Sequence, residues 1–490
     1  MKINKTEKSV SLFEIIILLF VSAAAITVCS KCSPLYPLND WDDPNCFFTV
    51  GKAAANGKVL YRDIFEQKGP LLYFLHTLAY YVSGKTFLGI YLIEIAAAFF
   101  YLLFSYRTIR LFTGRKAFVL MPLAAALTYT STAFQGGDSA EELCLPLAAY
   151  CLYIGLSAVK RSHTLSFRQC LITGLSIGIT LWVKFTLLGF YIGFAIAIII
   201  VYFKRKQTRL IPLSLLEVFL GIFIAALPSA VYFIINNSID SLIEVYFYDN
   251  MFLYSTGEVT IPIVGKILNI FIGVGAFLVN NPFAFVCSFS GAVYLLRKQK
   301  KSDAFFYLTL LITTLIFVYI GGRFFAYYSI ILSVFSSVGI AGIYEFIQST
   351  KINGILLKKQ FTIFLYTVSV FSLLLSPNIQ RLRFSRDDYP QYRFNKTISK
   401  KKNASLLNYG FLDGGFYTVS GIIPECRFFC QLNVQYEDMY RVQDEFVKDG
   451  KVDFVVTKDN KLNSDIYKCV DECSFPYGSA ISTYYLYEKI

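Results

Sequence analysis

Charge is scarce in this chain of 490 residues: Asp, Glu, Lys and Arg together make up 16% of it, against 55% hydrophobic residues. A soluble protein of this length carries a larger charged fraction, so the shortage points to a chain that spends most of its length in lipid. Histidine is scarcer still, limited to His76 and His163. That leaves no material for a zinc-binding histidine cluster and almost none for a Ser-His-Asp triad. Phosphate-cradling glycine loops are missing as well. No GxxxxGK[ST] and no GxGxxG between a strand and a helix occurs, so neither an ATP-driven pump nor a soluble nucleotide donor has an evident site.

The net charge of +13 would suit nucleic acid, but its distribution argues against that partner. Residues 377–490 hold 16 Lys+Arg against 15 Asp+Glu. The excess therefore belongs to the membrane part, where the positive-inside rule accounts for it.

Apolar runs of spanning length fall near 11–29, 86–106, 117–134, 143–159, 169–183, 186–203, 211–234, 280–296, 303–321, 326–347 and 360–376. They predict a polytopic α-helical membrane protein with about eleven spans. The first run is long for a cleaved signal and reads as a retained signal anchor. The fifth and sixth adjoin at "WVKFT" (182–186) and could form one long, bent helix pair. Cations gather in alternate loops, at Lys2–Lys8, Arg107–Lys116, Lys160–Arg168, Lys204–Arg209, Arg297–Lys301 and Lys351–Lys359. These loops are expected on the cytoplasmic side. The opposite loops carry Asp40, Asp42, Asp43, Asp63, Glu66, Asp138, Glu141, Glu142, Asp240, Glu244, Asp249 and Glu258. Function is expected on that acidic outer face.

The first outer loop, 30–85, is long and holds "GPLLYFLHTLAYYVSG", too short to span and suited to helices lying in the interface. A second amphipathic stretch, "SLIEVYFYDNMFLY", lies in the loop from Asn236 to about Ile261. After Pro377 the composition becomes that of a soluble domain. "ASLLNYG", "KVDFVVTKD" and "STYYLYEK" read as strands and "DMYRVQDEFVKDG" as a helix with a Gly stop. The expected plan is a membrane domain over 1–376 and a small extracytoplasmic α/β accessory domain over 377–490. Of the eleven cysteines, Cys144, Cys151, Cys170 and Cys287 fall in spans and read as small apolar residues. The pairs Cys426/Cys430, Cys469/Cys473 and Cys29/Cys32 are compatible with disulfides or free thiols more than with zinc.

The stretch "LNDWDDPNCFFTVGKAAANGKVLYRDIFEQKGPLLYFLH" (38–76) concentrates charge beside the membrane. Asp43 and Phe47 in "DDPNCFF", followed by "KGP" at Lys68-Gly69-Pro70, resemble the first outer loop of membrane glycosyltransferases of the GT-C type. The resemblance is to glycosyltransferase family 39, in its protein O-mannosyltransferase-like and aminoarabinose transferase-like members. Where those members carry Asp-Glu, this chain has Asp42-Asp43. The resemblance implies a polyprenyl-phosphate sugar donor, a site at the outer membrane surface and inversion at the sugar. Asp43, with its aromatic at +4, would take the proton of an acceptor hydroxyl. A carboxylate with an ordinary pKa of about 3.9 is already ionised for that task. Lys68 and then Arg323, beside Gly321-Gly322, would neutralise the lipid phosphate. Asp42, Arg62, Glu66, Asp138 and Glu141 are candidates for sugar or acceptor contacts.

Several of these residues have a plainer structural reading. Asp43 before Pro44 suits a helix cap, Lys68 could snorkel, and Asp138 or Ser139 could cap the helix after "FQGG". Lys184 reads as an interfacial anchor more than as a phosphate contact. The functional expectation is transfer of a sugar from a polyprenyl-phosphate carrier to an acceptor hydroxyl on a cell-envelope glycan, lipid or protein, with no soluble cofactor and no metal. The alternative is a transporter or flippase of lipid-linked sugars, against which stands the absence of any visible internal repeat. A polysaccharide polymerase or ligase would share the donor but not "YRDIFEQKGP".

Overall fold

The computed structural model describes residues 10–253, 262–350, 359–434, 436–477 and 480–490. Lys2, Lys5, Lys8, Lys351, Lys358 and Glu258 lie outside those residues, as does the end of the loop that reaches Ile261. The apolar runs become helices α1 (Leu12–Cys29), α4 (Leu88–Thr113), α5 (Met121–Tyr129), α6 (Ala140–Arg161), α7 (Phe167–Lys184), α8 (Leu188–Lys204) and α9 (Ile211–Ile235). Further helices follow at Pro282–Lys298, Lys301–Tyr319, Ser336–Ser349 and Lys359–Leu374. Two helices occupy the first outer loop, α2 (Asp42–Ala55) and α3 (Pro70–Val82). At 14 and 13 residues they are too short to span. The second amphipathic stretch forms a π-helix over Leu242–Leu253.

Among the described residues, eight helical segments are long and apolar enough to cross a membrane, counting Phe167–Lys204 as one. That segment is folded on itself. The Leu165 amide donates to the Tyr202 hydroxyl at 2.9 Å, and the Thr180 and Tyr191 hydroxyls meet at 3.1 Å. A straight helix would hold residues 11 apart about 16 Å from each other. The chain therefore reverses at Lys184, where the backbone turns extended (φ −158°, ψ 99°). Packing in lipid relies on close approach of backbones, and α7 meets α9 through Gly174, Gly178 and Gly221. A side chain at Gly174 would overlap the Val218 carbonyl.

One apolar helix, Ile263–Asn280, has no counterpart among the spans expected from sequence. Its Gly273 lies against Tyr319, its Asn269 against Gly322, and its Asn280 carbonyl accepts from Thr132 at 2.8 Å. All three partners sit at the acidic-loop ends of their helices, so this helix runs along that end of the bundle rather than through it. Lys266 and Asn269 interrupt its apolar run, as an interfacial position allows.

The C-terminal segment builds a four-stranded sheet in the order β1-β2-β4-β3, with β1 Leu406–Asn408, β2 Phe454–Lys458, β3 Tyr467–Tyr477 and β4 Ala480–Lys489. β1 runs parallel to β2, and β4 is antiparallel to both its neighbours. Helix Glu437–Lys448 is the one foreseen before a Gly stop, and Gly450 follows it with φ 61°. The eleven thiols are all unpaired, and Cys430 lies 3.8 Å from Cys46 of α2 rather than bonded to Cys426.

The sheet segment is bound to α2 by buried polar contacts. Asp413 accepts from Thr49 Oγ1 at 2.6 Å, Asn408 Nδ2 at 3.1 Å and Gly415 N at 2.9 Å. Lys52 Nζ donates to the Tyr417 carbonyl at 2.6 Å, and Thr418 Oγ1 to Asn45 at 2.9 Å. Burial pulls the Lys52 ammonium down to about 7, with the Asp413 carboxylate opposing it. Burial likewise raises Asp413. Removing one partner leaves the others dry and unpaired, at a cost of about 3 kcal/mol. Asp413→Ala is therefore expected to lower the thermal unfolding midpoint of the purified protein and to make residues 390–490 sensitive to protease. An unchanged midpoint and unchanged proteolysis would show that this contact does not hold the segment.

Candidate functional site

Helix α2 starts at Asp42 with Trp41 as its N-cap, so Asp42 and Asp43 occupy the first turn, where the helix dipole favours carboxylates. Asp43 is thus not the cap, and no side chain caps this end. The two aspartates line a polar chamber of about 230 Å³ together with Trp41, Glu66, Gln67 and Lys68. Gln135, Phe325 and Tyr327 close it from the membrane helices, and Leu412, Leu432 and Asn433 from the C-terminal segment. The aspartates differ in their surroundings. Asp43 lies close enough to raise the Glu66 and Asp138 carboxyls, whereas Asp42 bears on Tyr484 of β4.

Lys68 precedes α3, whose N-cap is Gly69 and whose first residue is Pro70, the position where a missing N–H costs nothing. Its ammonium lies 3.9 Å from Glu66 and 5.7 Å from the centre of the Phe47 ring. Phe47 is buried, edge-on to His76 with ring centres 5.7 Å apart. The aromatic one turn after Asp43 therefore supports Lys68 from below. Glu66 is buried, accepts from Lys68 N at 3.0 Å and is hydrogen-bonded by the Tyr73 hydroxyl. Burial raises its carboxyl, with Lys68 pulling the other way. Glu66 orients the lysine while forming part of the chamber wall.

Lys68 and Gln67 also line a second cavity of about 430 Å³ that is mostly apolar. Its walls include Leu188, Ile192, Phe317, Val318 and Ile320, with Tyr246 and Tyr328. Three cations face it: Lys68, Lys184 and Arg323. Lys184 is bonded to Glu141 and sits 4.1 Å from the centre of the Tyr328 ring. The anchor reading of Lys184 is thus replaced by a place in this groove, because the reversal between α7 and α8 turns it inward. Among the described residues, no three His, Cys, Asp or Glu side chains are grouped to hold a metal ion. The groups placed to neutralise an anion at this junction are these three cations.

The remaining candidates from sequence lie apart from the chamber. Arg62 is exposed, bonded to Asp63 at 2.9 Å and to the Asn236 carbonyl at 3.0 Å. Asp138 is fully buried, with its Oδ2 2.9 Å from His76 Nε2. His76 Nδ1 faces the Leu72 carbonyl at 2.8 Å and so carries a hydrogen, which leaves one proton between Nε2 and Asp138. Burial raises the Asp138 carboxyl and His76 opposes it. The cap of α6 is Ser139, which accepts from Glu142 N at 3.0 Å. Gly137 (φ 83°) has to be glycine, since Glu94 and Ser30 fill the space of a side chain. Glu141 supports Lys184 rather than facing the chamber.

Gly69 holds α3 against α7. Its amide donates to the Val183 carbonyl at 3.2 Å, and the Trp182 carbonyl occupies the position a Cβ would take. Gly69→Ala is expected to push the two helices apart and displace Lys68, at about 1–3 kcal/mol of stability. The thermal unfolding midpoint should fall. A variant with the wild-type midpoint would show that the backbones need not approach so closely.

Comparison with known proteins bears on the fold. The family model described as dolichyl-phosphate-mannose-protein mannosyltransferase matches residues 67–232. That segment begins beside Lys68 and includes Lys184, and it stops short of Asp42 and Asp43. Among solved structures, ArnT from Cupriavidus metallidurans bound to undecaprenyl phosphate superposes with a TM-score of 0.60 at 10% identity, covering 97% of each chain. Its apo form gives 0.61 at 9% identity with the same coverage. No curated protein sequence matches. The resemblance to GT-C membrane glycosyltransferases is borne out, and the chain has the fold of that class with a small C-terminal sheet.

Proposed function

We propose that this multi-pass membrane protein is a glycosyltransferase that moves a sugar from a polyprenyl-phosphate carrier to an acceptor hydroxyl on the extracytoplasmic face. The observation that carries this reading is the junction at Gln67 and Lys68. There an apolar groove lined by three cations shares Gln67 and Lys68 with a polar chamber lined by two aspartates. A lipid-linked sugar has the same division, with an apolar tail, an anionic phosphate and a polar ring. The groove takes the isoprenoid, Lys68, Lys184 and Arg323 take the phosphate, and the sugar lies in the chamber.

Asp43 removes the proton of the acceptor hydroxyl as its oxygen bonds to the anomeric carbon. The bond from that carbon to the phosphate oxygen breaks, and its electron pair leaves with the polyprenyl phosphate. The cations stabilise the charge that develops there. Attack from the face opposite the phosphate inverts the anomeric centre. The basic loops then face the cytoplasm, and the N-terminus with them, while the C-terminal segment lies outside.

Detergent-purified protein incubated with lipid-linked sugars and hydroxyl-bearing acceptors should release free polyprenyl phosphate. A flippase has no such product, so intact donor together with movement of that donor across a bilayer would replace this reading with transport.

A further inference from the structure

Three cavities formed by the described residues adjoin the polar chamber. The apolar groove enters at Gln67 and Lys68. A second cavity of about 350 Å³ meets it at Trp41 and Gln135 and is lined by Lys31, Asp40 and Arg381. The third is an open groove of about 480 Å³ on the C-terminal segment, which shares Leu412, Leu432 and Asn433 with the chamber wall. It continues over Gly410, Phe411 and Gln431 to Tyr440 on helix Glu437–Lys448.

Resting on the transferase reading above, we propose that this third groove is the acceptor subsite and that it takes an uncharged oligosaccharide. Four features argue for it. Among the described residues no charged side chain lines the groove, so an anionic chain would gain nothing there to offset its lost hydration. Tyr440 is 50% exposed and offers a ring face, while Gln431 and Asn433 bring amides that both donate and accept. A sugar presents the matching surface of C–H faces and hydroxyl edges. The groove reaches the chamber on a wall other than the donor entrance, so carrier and acceptor need not pass one another.

The cavity at Lys31 is less suited to this role. Its two cations are already committed to one carboxylate, with Lys31 bonded to Asp40 and Arg381 2.8 Å from the same group. Arg381 also donates to the Pro476 carbonyl at 2.9 Å. That triad ties the first outer loop to residues following the last apolar helix.

The proposal is tested by saturation-transfer NMR on the full chain in detergent. The probes are maltotriose, cellotriose and mannotriose, a uronic-acid trisaccharide of equal length, and a serine-containing hexapeptide. At least one uncharged trisaccharide should show saturable transfer. Tyr440→Ala should weaken it by about tenfold, and Tyr440→Phe should preserve it, since the ring face is kept. Because Tyr440 is exposed, both variants should unfold at the wild-type temperature. Binding of the uronate or the peptide in place of the neutral sugars would overturn the assignment. So would equal neutral-sugar binding in Tyr440→Ala, or loss in Tyr440→Phe. Polyprenyl phosphate release by wild-type protein given a lipid-linked sugar together with the trisaccharide that binds is read separately. Its absence while that trisaccharide still binds would count against the transferase reading and not against the groove.

Discussion

Asp43→Asn is expected to reduce turnover by at least about 10²-fold while polyprenyl-phosphate binding stays at the wild-type level. The substitution keeps size and most hydrogen bonding and removes only the basic oxygen, and general-base catalysis contributes typically about 10²–10⁴-fold. On the proposed reading Asp43 is the stronger of two adjacent choices. Both aspartates reach the chamber, but Asp43 shares its side with Glu66, the residue that orients Lys68, whereas Asp42 bears on Tyr484. Asp42→Asn should therefore cost much less. A dead Asp42→Asn beside an active Asp43→Asn would move the base by one residue. Two active, folded variants would remove general-base catalysis from this helix terminus.

Lys68→Ala should fail differently, weakening donor binding and slowing the chemical step together. On the proposed reading the ammonium meets the phosphate both in the bound carrier and as the bond to the sugar breaks, so its loss should lower kcat/KM by about 10²–10³-fold. Glu66 would also lose the cation 3.9 Å away, and its buried carboxyl would rise further. Arg323→Ala should give a smaller effect, since Lys68 and Lys184 remain in the groove. Donor affinity measured with a fluorescent polyprenyl phosphate separates the cases. Unchanged affinity in Lys68→Ala would place the phosphate elsewhere.

Much of the fold was legible because lipid imposes a coarse rule: a helix must be long and apolar enough to cross. The short first-loop helices and the strands at 406–408, 454–458 and 480–489 were visible in the same way, from length and β-forming residues. Helix Ile263–Asn280 was missed because Lys266 and Asn269 break its apolar run, and only its contacts show that it lies along one end of the bundle. The site was legible where it is local. Asp42, Asp43, Glu66 and Lys68 fall within one loop and meet in one chamber. Sequence could not separate residues that face the chamber from those that support it. Glu141 holds Lys184, Asp138 is sealed against His76, and Arg62 is engaged by Asp63. Leu412, Leu432 and Asn433 could not be foreseen as chamber walls, because nothing in their local sequence ties them to residues more than 300 positions earlier.

The most direct test is a structure of the protein with a polyprenyl-phosphate sugar bound, determined with Asp43→Asn so that the donor survives. The phosphate should lie among Lys68, Lys184 and Arg323, with the isoprenoid along Leu188, Ile192 and Phe317 and the anomeric carbon facing residue 43. An isoprenoid lodged between other helices, or a sugar ring outside the chamber that Asp43 lines, would contradict the account.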